Sequence, residues 1–328
     1  MTDDAVPDGV DALDADADAT PDSGPDVDVD EQRVSERAAA VRESLADLDG
    51  VLVAFSGGVD SSVVAALAHD ALGDDAVACT ARSETLPAAE LDDARRVASE
   101  IGIRHEEVTF SELDDPDFVQ NDEERCYHCR TMRLGAMFER ARELGIDTVC
   151  DGTNASDPGE GHRPGLRAVD EMDAYSPLLA HDVTKDEVRA IAREYDLSVA
   201  DKPSMACLSS RIPTGLEVTE ERLSRVETAE RLLRTWGFDQ FRVRDHDGLA
   251  RIEVGADELE YALDTDFARA AREHLTDAGF DHVTLDLAGY ETGSVSPEGE
   301  STAADDADIG GRPGEADVLD TEYPTGDD

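Results

Sequence analysis

Positive charge is what this chain has least of: 29 Lys and Arg stand against 79 Asp and Glu, a formal net charge of −50 over 328 residues. A body this acidic repels a polyphosphate backbone, so no nucleic-acid partner is expected. Long apolar runs are missing as well. No 18-residue apolar stretch occurs and the N-terminus is acidic where a secretory or transit segment would be basic, so the reading is a cytosolic protein without a membrane span. Cysteine is sparse, five residues in an odd set that does not suit a disulfide scaffold. The CxxC pair Cys126 and Cys129, with Cys207 far downstream, reads better as redox or metal chemistry.

The ends of the chain lack basic residues almost completely. Residues 1–31 carry twelve acidic groups and no Lys or Arg, and residues 291–328 carry twelve against Arg312. Such segments repel themselves and have little to bury, so both are expected to be disordered tails. They hold 23 of the 50 net negative charges, and the body between them is still about 27 negative. Its acids are spread throughout, a composition that needs salt screening to be compact and suits a concentrated salt cytoplasm.

What is present is a phosphate cradle. The apolar run Val51–Phe55 empties into Ser56-Gly57-Gly58-Val59-Asp60-Ser61-Ser62 and then a helix. Two adjacent glycines let the backbone turn tightly and approach a ligand, with the N–H groups of the turn and of the first helical turn aimed at an anion. Neither GxxxxGK[ST] nor GxGxxG fits. Ser56, Ser61 and Ser62 add hydroxyl donors, and Asp60 is a candidate to hold Mg²⁺ against the phosphates.

Strand, loop and helix then alternate. Helices are predicted over 34–48, 60–72, 88–101 and 130–144, and strands over 50–55, 76–80, 105–108 and 148–151, which implies an α/β domain with a parallel sheet covered on both faces, over residues 32–213. Ligands belong beyond the carboxyl ends of those strands, where Ser56, Thr80, Gly152 and Asn154 fall; Asp157 is a weaker candidate. A second, smaller α/β domain is expected over residues 214–290, with a helix over 220–236, a hairpin of strands 240–246 and 249–254 across Asp247-Gly248, a helix over 256–278 and a strand over 282–287.

Two segments concentrate thiol chemistry. Glu124-Arg125-Cys126-Tyr127-His128-Cys129-Arg130 sets two thiols three apart at a helix start, where the helix dipole, Arg125 and Arg130 would favour thiolates. Two cysteines make half a zinc site or part of an iron-sulfur site, and a third ligand is needed. Asp201-Lys202-Pro203-Ser204-Met205-Ala206-Cys207-Leu208-Ser209-Ser210-Arg211 supplies a third thiol in a loop where Lys202, Ser210 and Arg211 would lower a thiol pKa and offer donors to phosphate or carboxylate. In the second domain, Arg242 and Arg244 alternate onto one strand face, while Arg251 and Glu253 share a face of the next strand. Trp236 reads as packing, Glu230 as a solvated helix residue and His128 as facing solvent.

SGGVDS resembles the loop of the pyrophosphate-loop ATPases, which split ATP between its α and β phosphates and adenylate an oxygen. With RCYHCR, DGTN, DKPSMACLSSRIPTG and FRVRDHDGLARIEV in that order, residues 35–290 resemble the ATP-dependent sacrificial sulfur transferases of nickel-pincer nucleotide biosynthesis. The resemblance implies ATP and Mg²⁺ at Ser56, Gly57, Gly58, Val59, Asp60, Ser61, Ser62, Thr80, Gly152 and Asn154, and substrate at Ser210, Arg211, Arg242, Arg244 and Glu253. It implies an adenylated carboxylate of pyridinium-3,5-biscarboxylic acid mononucleotide as the sulfur acceptor. One branch of the family gives up the sulfur of its own cysteine at the position of Cys207; another carries the CxxC pair too, and there Cys126, Cys129 and Cys207 would hold a [4Fe-4S] cluster with one open iron. Homo-oligomerisation and transfer of the product to a nickel-inserting enzyme are further expectations. The rivals are a tRNA thiolase, which should show a basic face; an NAD or GMP synthetase, which needs no third cysteine; and a non-catalytic nucleotide-binding protein, which has no use for the Cys207 loop.

Overall fold

The computed structural model describes residues 30–157, 164–203 and 206–290. The expected acidic tails fall almost wholly outside these residues, as do Ser204 and Met205. At its inner edge the first tail gives way to structure: the Asp30 carboxylate accepts the N–H groups of Gln32 and Arg33, so α1 (Glu31–Ala46) starts three residues before the predicted helix.

The first domain runs β1 (Val51–Ala54), α2 (Val59–Leu72), β2 (Ala76–Arg82), α3 (Ala88–Ile101), β3 (Arg104–Thr109), α4 (Pro116–Val119), α5 (Arg125–Leu144), β4 (Thr148–Cys150), α6 (Pro164–Glu171), α7 (Pro177–Ala180) and α8 (Lys185–Glu194). Its four strands are all parallel, in the order β3-β2-β1-β4. The chain first builds outward from β1 through β2 to β3 and then returns to the other side of β1 with β4. The loops leaving β1 and β4 therefore diverge and open a crevice at their carboxyl ends, the usual ligand position in such a sheet. α2 is apolar nearly all round because it is sandwiched, packing on one sheet face with α1, α3 and α8 around Val63, Val64 and Leu67. α5 covers the opposite face, with Leu134, Met137 and Ala141 against Leu52, Cys79 and Val149.

The second domain follows as α9 (Glu220–Thr235), β5 (Phe241–His246), β6 (Leu249–Val254), α10 (Leu259–Ala262), α11 (Thr265–Asp277) and β7 (His282–Leu285), with β5-β6 antiparallel and β7 parallel to β6. The single helix predicted over 256–278 is two, because the Asp264 carboxylate accepts the N–H groups of Asp266 and Phe267 and starts a new helix there. Trp236 packs edge-on to Phe267 with centroids 5.4 Å apart. The core of this domain also takes in Phe118, Leu208 and Ile212, and Asn121, at φ 57°, donates its amide to the carbonyls of Ile212, Pro213 and Leu216. The segment after Cys207 is thereby welded to both domains. No helix among the described residues is long and apolar enough to cross a membrane.

Candidate active site

The loop after β1 is held by its own serines. Ser61 Oγ donates to the Gly58 carbonyl at 3.1 Å and accepts the Ser56 N–H at 3.2 Å, while Gly58 N–H reaches Ser56 Oγ at 3.3 Å. Gly57 has φ +71°, and a Cβ there would lie 2.7 Å from Ala94 Cα, so both conformation and space require glycine. Gly152 answers it from the end of β4: a Cβ would meet Ser61 N at 3.0 Å and Asp60 Cβ at 3.2 Å. The two loops touch backbone to backbone, which is how the switch point of the sheet becomes a floor. Ser62 behaves differently from its neighbours. It is fully buried, its hydroxyl has no partner, and it lines neither cavity described below.

A cavity of about 550 Å³ lies over this floor, lined by Ser56, Asp60, Ser61, Thr80, Gly152 and Asp157 along with Cys126, Arg130 and Arg133 of α5. Its volume is that of a nucleotide-sized pocket. Thr80 Oγ donates to the Phe55 carbonyl at 2.9 Å and stands 2.8 Å from His105 Nε2, which therefore carries the hydrogen of that contact. Burial lowers the His105 pKa, which keeps the ring neutral. Asp151 is saturated by Arg130 at 2.7 Å and by the hydroxyls of Thr153 and Ser176, each at 2.6 Å. It fixes the strand end and offers nothing further.

A second cavity of about 170 Å³ adjoins the first, with Ser56, Asp60 and Arg133 common to both, and it is lined by Gly58, Val59, Glu90, Lys185, Lys202 and Cys207. Asp60 takes Asn154 Nδ2 on one oxygen at 3.0 Å and Lys185 Nζ on the other at 2.6 Å. Asn154 thus positions the carboxylate across the junction of the two loops.

The three cysteines gather around Arg133. Arg133 Nη2 is 3.5 Å from Cys129 Sγ, Arg133 lines the larger cavity with Cys126 and the smaller one with Cys207, and its buried Nε has no partner. Burial works to raise the Cys207 pKa, but Arg125, a hydrogen bond with Ser209 at 3.0 Å, Arg133 and Arg211 together bring it below its usual value. Cys129 goes the other way. Burial pushes its thiol up to about 12 despite Arg133, with the Cys207 charge and Glu112 adding to the rise. The helix start therefore does not make both CxxC thiols acidic. Arg130 is engaged by Asp151, and Arg133, one turn further on, stands beside the sulfur. Nor does Lys202 act on the thiol; it pairs with Glu90 at 2.9 Å and Asp93 at 2.7 Å. Cys79 and Cys150 are buried in the sheet with thiols pushed up to about 12, which leaves them inert.

Arg211 and Glu230 depart furthest from expectation. Arg211 is fully buried, and its guanidinium meets Glu230 through two bonds of 2.8 and 3.0 Å while also donating to the carbonyls of Ala206 and Cys207. It holds the Cys207 loop, and Glu230 is its buried counterion where a solvated residue was expected. Ser210 is occupied likewise, its hydroxyl donating to the Cys207 carbonyl at 2.7 Å. Register places Arg242 opposite Glu253 and Arg244 opposite Arg251, so all four share one face of the hairpin. Arg244 donates to Glu253 at 2.6 Å and to the Ser210 carbonyl at 3.2 Å, which brings the hairpin to the Cys207 loop. Arg242 is buried, donates to its neighbouring Phe241 carbonyl, lies 5.2 Å from the Tyr290 ring, and has no carboxylate partner among the described residues. Burial and then the nearby Arg211 lower its pKa. A cation so placed calls for an anion.

Residues that sequence reasoning missed include Arg133, Glu112 and Lys185. Lys185 opens α8 behind the Thr184–Glu187 capping box, a pattern visible in the sequence; Arg133 and Glu112 carry no local signal.

Comparison with known proteins agrees with this geometry. The asparagine synthase family matches residues 37–138, which contain the β1 loop and most of α5. Pyridinium-3,5-bisthiocarboxylic acid mononucleotide synthase of Lactiplantibacillus plantarum is 35% identical over 261 residues, 79% of this chain and 94% of that one. The chain belongs to this synthase family. An uncharacterized protein of Synechocystis is 41% identical over 256 residues, 78% of this chain and 95% of its own length. A tRNA-specific 2-thiouridylase of Desulforamulus reducens is 31% identical over 198 residues, but only 47% of this chain and 52% of the other are involved. As a synthase-family member with a pyrophosphate-loop domain, the chain is an ATP-dependent enzyme.

Proposed function

We propose that this chain adenylates a carboxylate of pyridinium-3,5-biscarboxylic acid mononucleotide with ATP and replaces the AMP by sulfur, yielding a thiocarboxylate. The observation that carries the reading is the place of Arg133 beside all three cysteines, 3.5 Å from Cys129 Sγ, with Cys126 in the lining of the nucleotide-sized cavity and with Cys207 in the lining of the smaller one beside the β1 loop. A synthetase that transfers ammonia has no use for three thiols there, and an RNA thiolase is opposed by the net charge of −50.

In this reading the amides and serines of the β1 loop take the phosphates, Thr80 edges the adenine end, and Asp60 holds Mg²⁺ once Lys185 has released it. Arg242, the buried cation without a carboxylate, takes the phosphate or a carboxylate of the nucleotide acceptor, steadied by Arg244 and Glu253. Arg133 supports negative charge on sulfur and on the acyl oxygen developing next to it.

The donor set fits an iron-sulfur cluster. Three soft thiolates would leave one iron of such a cluster without a protein ligand. A [4Fe-4S] cluster held by Cys126, Cys129 and Cys207 would supply transferable sulfide at that open iron. The enzyme acts in the cytosol as a homo-oligomer and hands its product to a nickel-inserting enzyme. The test is anaerobic Cys126→Ser protein. Loss of iron together with loss of thiocarboxylate supports the reading, whereas one thiocarboxylate per chain with Cys207 converted to dehydroalanine, lighter by one H₂S, replaces the cluster with the sacrificial route.

A further inference from the structure

Glu112, in the short turn Glu112–Asp114 that follows β3, is a carboxylate taken wholly out of water. Such a group is costly unless it is paired. Its Oε1 accepts the Thr85 hydroxyl at 2.8 Å and the Cys129 thiol at 3.5 Å and faces Arg133 Nη2 at 3.8 Å, whereas Oε2 is buried with no partner among the described residues. One oxygen therefore carries all three contacts. Thr85 is fully buried too, in the loop between β2 and α3. Its hydrogen goes to Glu112, so its oxygen accepts from Ser83 Oγ at 3.2 Å. Its backbone carbonyl accepts the N–H of Leu208, the residue after Cys207, at 2.9 Å, and Leu208 is sealed in the core of the second domain. The thiol on α5 and the Cys207 loop are thus tied to the same threonine.

We infer that Thr85 and Glu112 are positioning residues of the sulfur site, with Thr85 holding Glu112 off Arg133 so that the guanidinium stays on the cysteine sulfurs. The cysteines' role in sulfur chemistry rests on the reading given above; the hold on Arg133 does not. A glutamate side chain is long and rotatable, while a β-branched threonine has a stiff χ1 and aims its hydroxyl in a direction set by the backbone. A hydroxyl bound to a carboxylate is a charge-assisted contact, strong enough to fix one arrangement of Glu112. In that arrangement the nearest approach of Glu112 to Arg133 is 3.8 Å, and Arg133 Nη2 is closer to Cys129 Sγ, at 3.5 Å. Without the hydroxyl, Glu112 is free to close on Arg133 as an ordinary ion pair of about 2.8 Å, which draws the guanidinium off the sulfur. The Leu208 bond is made by the backbone of Thr85, so it survives any change of side chain and keeps the Cys207 loop in place.

The experiment compares Thr85→Val, which keeps the shape and loses the donor, with Thr85→Ser, which keeps the donor, in the full chain. Crystal structures of the iron-free proteins are expected to show Glu112 closed on Arg133, with Arg133 withdrawn from Cys129, in Thr85→Val and the wild-type arrangement in Thr85→Ser. After anaerobic reconstitution, Thr85→Val is expected to lose iron to a chelator at least fivefold faster than wild type, and Thr85→Ser within twofold of it. AMP affinity within twofold of wild type in calorimetry shows that the nucleotide site is folded in both, an outcome that general destabilisation would not give. In a Glu112→Gln background, where no ion pair with Arg133 can form, Thr85→Val is expected to change the rate of iron loss by less than twofold. An unmoved Glu112 in Thr85→Val, a Thr85→Ser protein that behaves like Thr85→Val, or the full fivefold effect in the Glu112→Gln background overturns the inference. If the crystal structures differ as expected but the wild-type chain takes up no iron, the positioning stands and the cluster reading falls.

Discussion

Replacing Glu230 by Ala tests whether the Cys207 loop is built on a buried ion pair. Arg211 is fully buried, the Glu230 side chain is 5% exposed, and the pair is bidentate at 2.8 and 3.0 Å, with the Val243 N–H also donating to Glu230 at 3.2 Å. Removing one partner of such a pair leaves a buried charge uncompensated, a loss of about 3–5 kcal/mol. The loss is expected as a fall in unfolding free energy by urea titration in 2 M KCl, or as a melting point lowered by roughly 6–20 °C at about 2–4 °C per kcal/mol for a body of this size. Replacing both residues with Met should recover most of the loss, because the desolvation of two charges disappears with them. The Ala variant should also expose Cys207 to alkylation, since Arg211 holds the carbonyls of Ala206 and Cys207. A single-variant loss below about 1 kcal/mol, the value of an exposed pair, would refute the reasoning.

Gly152→Ala should lower ATP affinity at least tenfold in calorimetry, since its Cβ would press on Ser61 N at 3.0 Å and part the two loops. In protein freed of iron by chelation, the alkylation rate of Cys207 should titrate at lower pH than that of an ordinary thiol, and Arg125→Met should move that midpoint upward, because a lost cation destabilises the thiolate and shifts reactivity to higher pH. The melting temperature should rise between 0.1 and 3 M KCl as crowded carboxylates are screened; a flat response would remove the salt-adapted reading.

The sequence carried the frame of the site further than its wiring. Gly57 and Gly58 after an apolar run, the alternation of strand and helix, and the CxxC spacing are local patterns, and their elements appear within a few residues of expectation. α5 begins five residues early, which places both cysteines inside its first turns and makes Arg133 a neighbour of Cys129. Long-range pairings had no such signal. Arg211 looks like a ligand donor in a polar loop, and only the fold shows that Glu230, nineteen residues on, consumes it. Arg244 and Arg251 could be assigned to faces by alternation, but whether the faces coincide depends on hairpin register across Asp247-Gly248. Ser62 follows the loop serines in sequence, yet its direction along α2 turns it into the core.

The central claim is sulfur transfer onto a carboxylate, and single-turnover mass spectrometry tests it most directly. Anaerobic protein mixed with Mg·ATP and pyridinium-3,5-biscarboxylic acid mononucleotide is predicted to release AMP and pyrophosphate and to return a nucleotide heavier by the difference between sulfur and oxygen, and Cys207→Ser should abolish that product. ADP and phosphate as the nucleotide products, or AMP formed with the acceptor unchanged in mass, would contradict it.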